Sequence, residues 1–313
     1  MQRNETSYLT HGFMIIALFA ILLAISVFVP VLGLFTLFIV PLPLAWYSAR
    51  FERKQAAFVT IIAVLFSLII GGVFGLIFGL LVAPLGFIIG DSIRTKQSKL
   101  YMFMATGLFL LLMTAVQYIL SILFFNMNVL KQFITTIEVY YEQLGNIMSS
   151  FGQLPEGYDE LVKQSIMLIE SIMPSYYIGT VFISAWIFLI INLSLLRKLK
   201  LDVPKFPKFK EFRLPKVVLW YYLVVSIFSL FVSFEIGTFG YLVFINAALI
   251  LRALLFLQGI SLIHYYFDVK GWPKWSMIFA TFLAVPLYMF TIIVGVLDLG
   301  FNIRGFVKDR YKK

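Results

Sequence analysis

The 313-residue chain contains no cysteine, and that absence alone removes disulfides, thiolate nucleophiles and Cys-ligated metal or iron–sulfur sites. Histidine is nearly as scarce: His11 and His264 are the two in the chain, both at the ends of apolar runs, where the membrane–water interface accounts for them. Charge is thin, since Asp, Glu, Lys and Arg make up 13% of residues against about 25% in a soluble domain. Enzyme signatures fail in turn. There is no GxxxxGK[ST] for nucleotide, no HExxH for zinc and no GxSxG elbow, and Gly90-Asp91 stands alone, short of an intramembrane aspartyl dyad. These absences point away from an enzyme and from a bound metal or cofactor.

What is present is hydrocarbon. Apolar residues are 61% of the chain, Phe alone contributes 34, and the mean hydropathy is +0.97, so lipid must be the solvent for most of it. A spanning helix needs about 20 mostly apolar residues. On that measure the sequence predicts nine spans, at residues 12–29, 34–48, 56–70, 73–90, 101–125, 176–196, 217–234, 241–263 and 276–297. The fold class is all-α: a polytopic integral membrane helical bundle of about eight to nine transmembrane helices with an extracytoplasmic helical hairpin. The first run has no small-residue cleavage site after it and leads directly into another apolar run, so it reads as a retained span rather than a cleaved signal. Pro30 and the Gly71-Gly72 pair mark tight hairpins between neighbouring spans.

The net charge of +10 reads as a topology signal rather than a nucleic-acid footprint, because the basic residues fall between apolar runs. Arg50, Arg53 and Lys54; Arg94, Lys96 and Lys99; eight Lys or Arg within 197–216; and Lys270 with Lys274 all fall on one side if nine spans follow a cytoplasmic N-terminus. The 126–175 segment falls on the other side, and its acids Glu138, Glu142, Glu156, Asp159, Glu160 and Glu170 outnumber Lys131 and Lys163. The expected location is a bacterial cytoplasmic membrane. One feature conflicts: the tail carries Arg304, Lys308, Arg310, Lys312 and Lys313, yet an odd span count sends it outside. Either the last segment doubles back near Pro286 or the tail breaks the rule.

Within 126–175, Leu130, Phe133, Ile134, Ile137, Tyr141, Leu144, Met148 and Phe151 keep helical spacing, and Leu161, Leu168, Ile169 and Ile172 repeat it after Pro155 and Gly157. This predicts a helical hairpin ending at Pro174, which either lies in the lipid interface or extends the fifth span, or else forms a lid over an outward-facing pocket.

Few side chains at membrane depth can carry chemistry. Arg252, central in the eighth span, would cost about 2.5–3.5 kcal/mol unpartnered, so it is expected to face the bundle interior, paired with Glu235 or Asp298, or to anchor an anionic ligand. Asn246, Gln258 and Asp298 join it as ligand or ion-pair candidates, and Gln117 reads as an interhelical hydrogen bond. Gly71, Gly75, Gly79 and Ala83 recur every four residues, with Gly86 and Gly90 adding a second pair, as a helix-packing or partner face. In the 197–216 segment Lys205, Lys208, Lys210 and Arg213 interleave with Phe206, Phe209 and Phe212, a pattern suited to anionic lipid headgroups or a cytoplasmic partner.

The run Gln258-Gly259-Ile260-Ser261-Leu262-Ile263-His264-Tyr265-Tyr266, with Gly295-Val296-Leu297-Asp298 and Arg304, resembles the YybS-like family of uncharacterised bacterial multi-pass membrane proteins over essentially the full length. The first six spans are also similar, more weakly, to the substrate-binding S component of energy-coupling-factor transporters, whose first helix docks a coupling subunit through small residues; Ala17, Ala20 and Ala24 occupy such a face. That likeness implies a bundle of residues 1–125 and 176–196, an inserted segment 126–175, a basic linker 197–216 and additional helices in 217–313. It also implies a lipid-embedded subunit that binds a small molecule and works with a transmembrane coupling subunit and ATPases in trans. The alternative is a scaffold or regulatory protein acting through partner helices.

Overall fold

The computed structural model describes residues 2–204, 208–232 and 234–311, with side chains from residue 8 to residue 310. In chain order the helices are α1 (Gln2–Phe28), α2 (Pro30–Thr36), α3 (Leu42–Arg50), α4 (Arg53–Arg94), α5 (Lys99–Phe125) and α6 (Val129–Ser150). They continue as α7 (Tyr158–Lys198), α8 (Val217–Phe231), α9 (Phe239–Val269), α10 (Lys274–Ala284), α11 (Tyr288–Phe301) and α12 (Ile303–Tyr311), with a 3-10 turn at Phe209–Glu211 before α8. The described residues contain no strand. They group into two compact units, Met1–Lys131 with Ile178–Lys205, and Gln132–Tyr177 with Phe206–Lys313.

In the first unit, Pro30 opens α2 with its fixed φ and turns the chain back along α1. Ser26 Oγ lies 2.8 Å from Thr36 Oγ1, and a Cβ on Gly33 would overlap the Ser26 carbonyl. The expected span at 34–48 is therefore corrected: residues 37–41 form a turn, and α3 restarts behind Pro41 and Pro43, which cannot donate to a continuous ladder. The long α4 is a hairpin in itself. Gly72 takes φ +58°, and a Cβ on Gly79 would collide with the Ser67 side chain, which a straight helix would hold about 18 Å away. Arg53 Nε and Asp91 Oδ2 are 3.6 Å apart, where a continuous helix would separate them by about 57 Å. The hairpin expected at Gly71-Gly72 is thus present. Ile15, Phe19 and Leu23 of α1, Leu44 and Tyr47 of α3, and Val59, Ala63, Val82 and Ala83 of the two α4 arms form the core.

In the second unit, α6 and the start of α7 form the expected hairpin. The Tyr158 hydroxyl donates to the Tyr141 carbonyl (2.7 Å), and the Tyr158 ring fills the space a side chain at Gly145 would need. Its second arm does not stop at Pro174, because α7 runs on as one helix of 41 residues. That is about 61 Å, twice the roughly 30 Å hydrocarbon thickness, so one element serves both the inserted segment and the sixth span. The insertion also groups with 206–313 rather than standing as a unit of its own.

Among the described residues five helices are long and apolar enough to cross a membrane, or six if α10 and α11 are joined as one bent span. The nine expected spans reduce to five because 34–48 breaks at 37–41, α8 has only 15 residues, α10 and α11 bend by 113°, and the two arms of α4, expected as separate spans, are counted there as one long helix.

Candidate functional site

The densest polar cluster of the second unit lies inside it, beside the C-terminal third of α9. Asp298 of α11 is fully buried, and its Oδ2 accepts from Arg304 Nε (2.9 Å) and Gln258 Nε2 (2.5 Å). Arg304, 8% exposed, also donates from Nη1 to the Lys210 carbonyl (2.8 Å) and from Nη2 to Ser261 Oγ (3.0 Å), with its guanidinium 5.5 Å from the Tyr265 ring centroid. Ser261 Oγ is 2.7 Å from the Phe209 carbonyl and 2.9 Å from that of Phe212, and Gln258 Oε1 accepts from the Leu214 N–H at 2.9 Å. The cluster therefore supplies partners to the backbone of 209–214, which Pro204 and Pro215 keep from forming a regular helix. A charge pair taken out of water is tolerated because each member has further hydrogen bonds. One oxygen, Asp298 Oδ1, is buried without a hydrogen-bond partner among the described residues.

Two glycines bring the backbones together there. A Cβ on Gly259 would overlap the Thr291 carbonyl, and one on Gly295 would overlap that of Leu255, so α9 and α11 cross in backbone contact above Leu255, Ile292 and Leu299. The chain reaches this crossing through a bent pair of helices. His264 Nε2 contacts Met277 O (3.0 Å) and Thr281 Oγ1 (2.8 Å) of α10, the chain bends through 113° around Pro286, and α11 returns to the same third of α9. Asn302 closes α11 with φ +51° and accepts from Arg213 Nη2 at 2.6 Å. Of the two ways out of the charge conflict, the structure takes the first: the last segment doubles back, and the tail begins next to the basic linker.

The other sequence candidates scatter. Arg252 is exposed, has no ion pair among the described residues and does not meet Asp298, whose partner is Arg304. The expectation of an inward-facing, paired Arg252 is corrected; Glu235 likewise lies in the turn before α9, without an ion pair among the described residues. Asn246 is structural: its Oδ1 accepts from the Ser175 N–H (2.9 Å) and its Nδ2 donates to the Ser171 carbonyl (2.6 Å), donor and acceptor of one rung of α7 beside Pro174. Gln117 donates to the Ile77 carbonyl at 2.8 Å, the interhelical bond expected of it. Gly75 and Gly79 pack on Ser67, and Gly86 and Gly90 on α3 against Pro41, Leu44, Ala45 and Ser48, while Gly71 touches only Val27; the stripe is internal packing. On α1, Ala17 is exposed and Ala20 and Ala24 are half-buried. Lys210 is ion-paired with Asp268; Arg213 donates to Asn302 and is exposed, as is Lys208, and Lys205 lies outside the described residues, as do Phe206, Lys312 and Lys313.

Sequence reasoning missed Asn192, which is fully buried on α7 and donates to the Phe38 carbonyl (2.8 Å) in the turn that breaks the second span. It also missed Ser261 as the hub between Arg304 and the linker. An asparagine inside an apolar run was a legible signal for the first; nothing local marks the second. Among the described residues no three His, Asp or Glu side chains converge as a metal site would require.

Long apolar helices, a bundle core and polar side chains satisfied at membrane depth define a polytopic α-helical membrane protein. The chain belongs to the family described as Predicted membrane protein (DUF2232), whose model matches residues 17–299. It is 29% identical over 315 residues to the uncharacterized protein YybS of Bacillus subtilis (strain 168), covering 97% of this chain and 100% of the relative. No solved structure matches it. The residues on which the YybS-like resemblance rests, 258–266, 295–298 and Arg304, are those that build the Asp298 cluster and the α9–α11 crossing.

Proposed function

We propose that this is a non-enzymatic membrane subunit of a small-molecule uptake system, with a transmembrane coupling protein and ATPases supplied by other chains. The observation that carries the reading is the composition of the first unit. Residues 1–131 and 178–205 form one compact unit that holds the segments 12–29, 56–70, 73–90 and 101–125, most of 176–196, and the broken segment 34–48. Two further features support it. At 100° per residue, Ala17 and Ala24 point about 160° and 140° away from the mean direction of the buried Ile15, Phe19 and Leu23, Ala20 lies on the flank about 100° from it, and Ala17 is exposed. Small residues on such a face admit close approach of a partner helix.

A second reading, a scaffold or regulatory subunit, is favoured by a different observation. Gln117, Asn246, Gln258 and Asp298 all bond within the chain, which leaves exposed Arg252 as a mid-helix cation suited to an acidic residue on a partner helix. Mass spectrometry of protein purified gently from its native membrane separates the two. Recovery of an ATPase with a coupling protein, lost on Ala20→Leu, or of one stoichiometric small molecule, supports the uptake subunit. Recovery of neither, or only of other envelope proteins that are lost on Arg252→Ala, overturns it in favour of the scaffold.

A further inference from the structure

One side of α6 carries a pattern that neither the Asp298 cluster nor the readings above use. Leu130, Phe133, Ile137, Tyr140, Leu144, Ile147 and Phe151 follow one another at alternating steps of three and four residues. That is the spacing of the two core positions of a heptad, and it draws a single apolar seam along the helix, ending one residue beyond it. Ile137 is half-buried and the other six are exposed, from 45% at Leu130 to 75% at Phe151. The same helix makes its contact within the chain elsewhere: Ile134 and Gly145 are its buried residues, and Tyr141 and Gly145 meet Tyr158 of α7. The seam is therefore left over once the α6–α7 hairpin has closed, and a contiguous row of large apolar side chains of this kind marks an interaction surface.

The flanks of the seam say what fits it. At 100° per residue Lys131, Glu138 and Glu142, the charged residues of α6, lie about 130° or more from the seam's centre. The border away from Tyr141 and Gly145 consists of Thr136, Gln143 and Ser150, all uncharged and exposed. Charges bordering a heptad seam select a foreign partner helix through ion pairs. α6 has none there, whereas a second copy of the chain supplies a matching apolar seam and sets no like charge against it. Membrane insertion fixes the rest of the geometry. Two copies in one bilayer share an orientation, so a two-fold axis relating them runs along the membrane normal, and each seam residue meets its own counterpart on a parallel helix.

We propose that two copies of this protein pair through α6 as a parallel two-stranded coiled coil, with Leu130, Ile137, Leu144 and Phe151 at one set of core positions and Phe133, Tyr140 and Ile147 at the other.

The absence of cysteine makes the pairing directly readable. Single cysteines are placed in the full-length chain, in its native membrane, and oxidised. Phe133→Cys, Tyr140→Cys and Ile147→Cys should each give a disulfide-linked dimer at a yield about tenfold or more above that of Glu142→Cys, on the opposite side of the helix. Leu144 is exposed, so Leu144→Glu leaves the fold of a single chain alone while setting two carboxylates against each other in the seam. It should lower the Tyr140→Cys yield by about tenfold or more. Equal yields at Tyr140 and Glu142, linkage at one position only as an antiparallel pair would give, or a yield that Leu144→Glu does not change, overturns the proposal. Should the cysteine variants fail to fold, native mass spectrometry of the parent protein released from its own membrane decides: a dimer that Leu144→Glu converts to monomer supports the pairing, and monomer alone, or a dimer that Leu144→Glu leaves intact, overturns it.

Discussion

Substituting Asp298 by alanine tests the buried cluster. The change strands the Arg304 guanidinium, 8% exposed, without its counter-ion, and deprives Gln258 Nε2 of its acceptor. Removing one member of a buried pair costs about 3–5 kcal/mol. Arg304 retains two neutral acceptors, the Lys210 carbonyl and Ser261 Oγ, so the lower end, about 3 kcal/mol, is expected. Asp268→Ala removes an ion pair whose acid is 43% exposed and should cost at most about 1 kcal/mol. Because the chain has no cysteine, Leu255→Cys places a single thiol at a fully buried core position, and its alkylation rate by a membrane-permeant maleimide measures local opening. That rate should rise by about two powers of ten with Asp298→Ala and no more than about fivefold with Asp268→Ala. Asp298→Ala/Arg304→Ala should open less than Asp298→Ala alone, since it leaves no orphaned charge. Equal effects of the two single substitutions, or strict additivity in the double, would refute the assignment of Asp298 and Arg304 as a buried, mutually dependent pair.

Three further outcomes follow from the same geometry. A single cysteine at Lys308→Cys should react with an impermeant thiol reagent from the same side as one at Lys274→Cys and from the side opposite Glu156→Cys; labelling of 308 together with 156 would rule out the doubled-back α10–α11 path. Asn246→Leu should speed amide hydrogen exchange across residues 171–176 by about tenfold or more, because the Ser175 N–H loses an acceptor in an apolar setting; unchanged exchange would show the rung closes without it. Gly79→Leu should cost about 1–3 kcal/mol, read as loss of monodisperse protein on mild heating, whereas Gly179→Leu, with nothing within 4 Å of its Cβ position, should behave as the parent.

Much of this molecule could be read one residue at a time. Hydropathy set its class, Pro30 and Gly71-Gly72 its two tight hairpins, and helical spacing the α6–α7 arms, because each depends on local periodicity or on the dihedral freedom of one residue. Gln117 was legible as an interhelical bond for the same reason: a lone amide in an apolar helix must find a backbone acceptor nearby. The basic tail even announced its own conflict with an odd span count.

What sequence alone could not settle was pairing between distant segments. Arg252 and Arg304 are both arginines near acids, and only tertiary contact decided that Arg304, from beyond the last apolar run, reaches Asp298 while Arg252 stays exposed. Asn246 could not be told from a ligand donor until α9 packed beside the Pro174 rung of α7. Lys210 and Arg213 read as lipid or partner contacts, and only the fold set Asp268 against the one and Asn302 against the other. The physical reason is common to all three: a polar side chain in a lipid-solvated protein must be satisfied, which the sequence dictates, but the partner is set by which backbones approach closely enough, and that was decided by crossings such as Gly259 on Gly295.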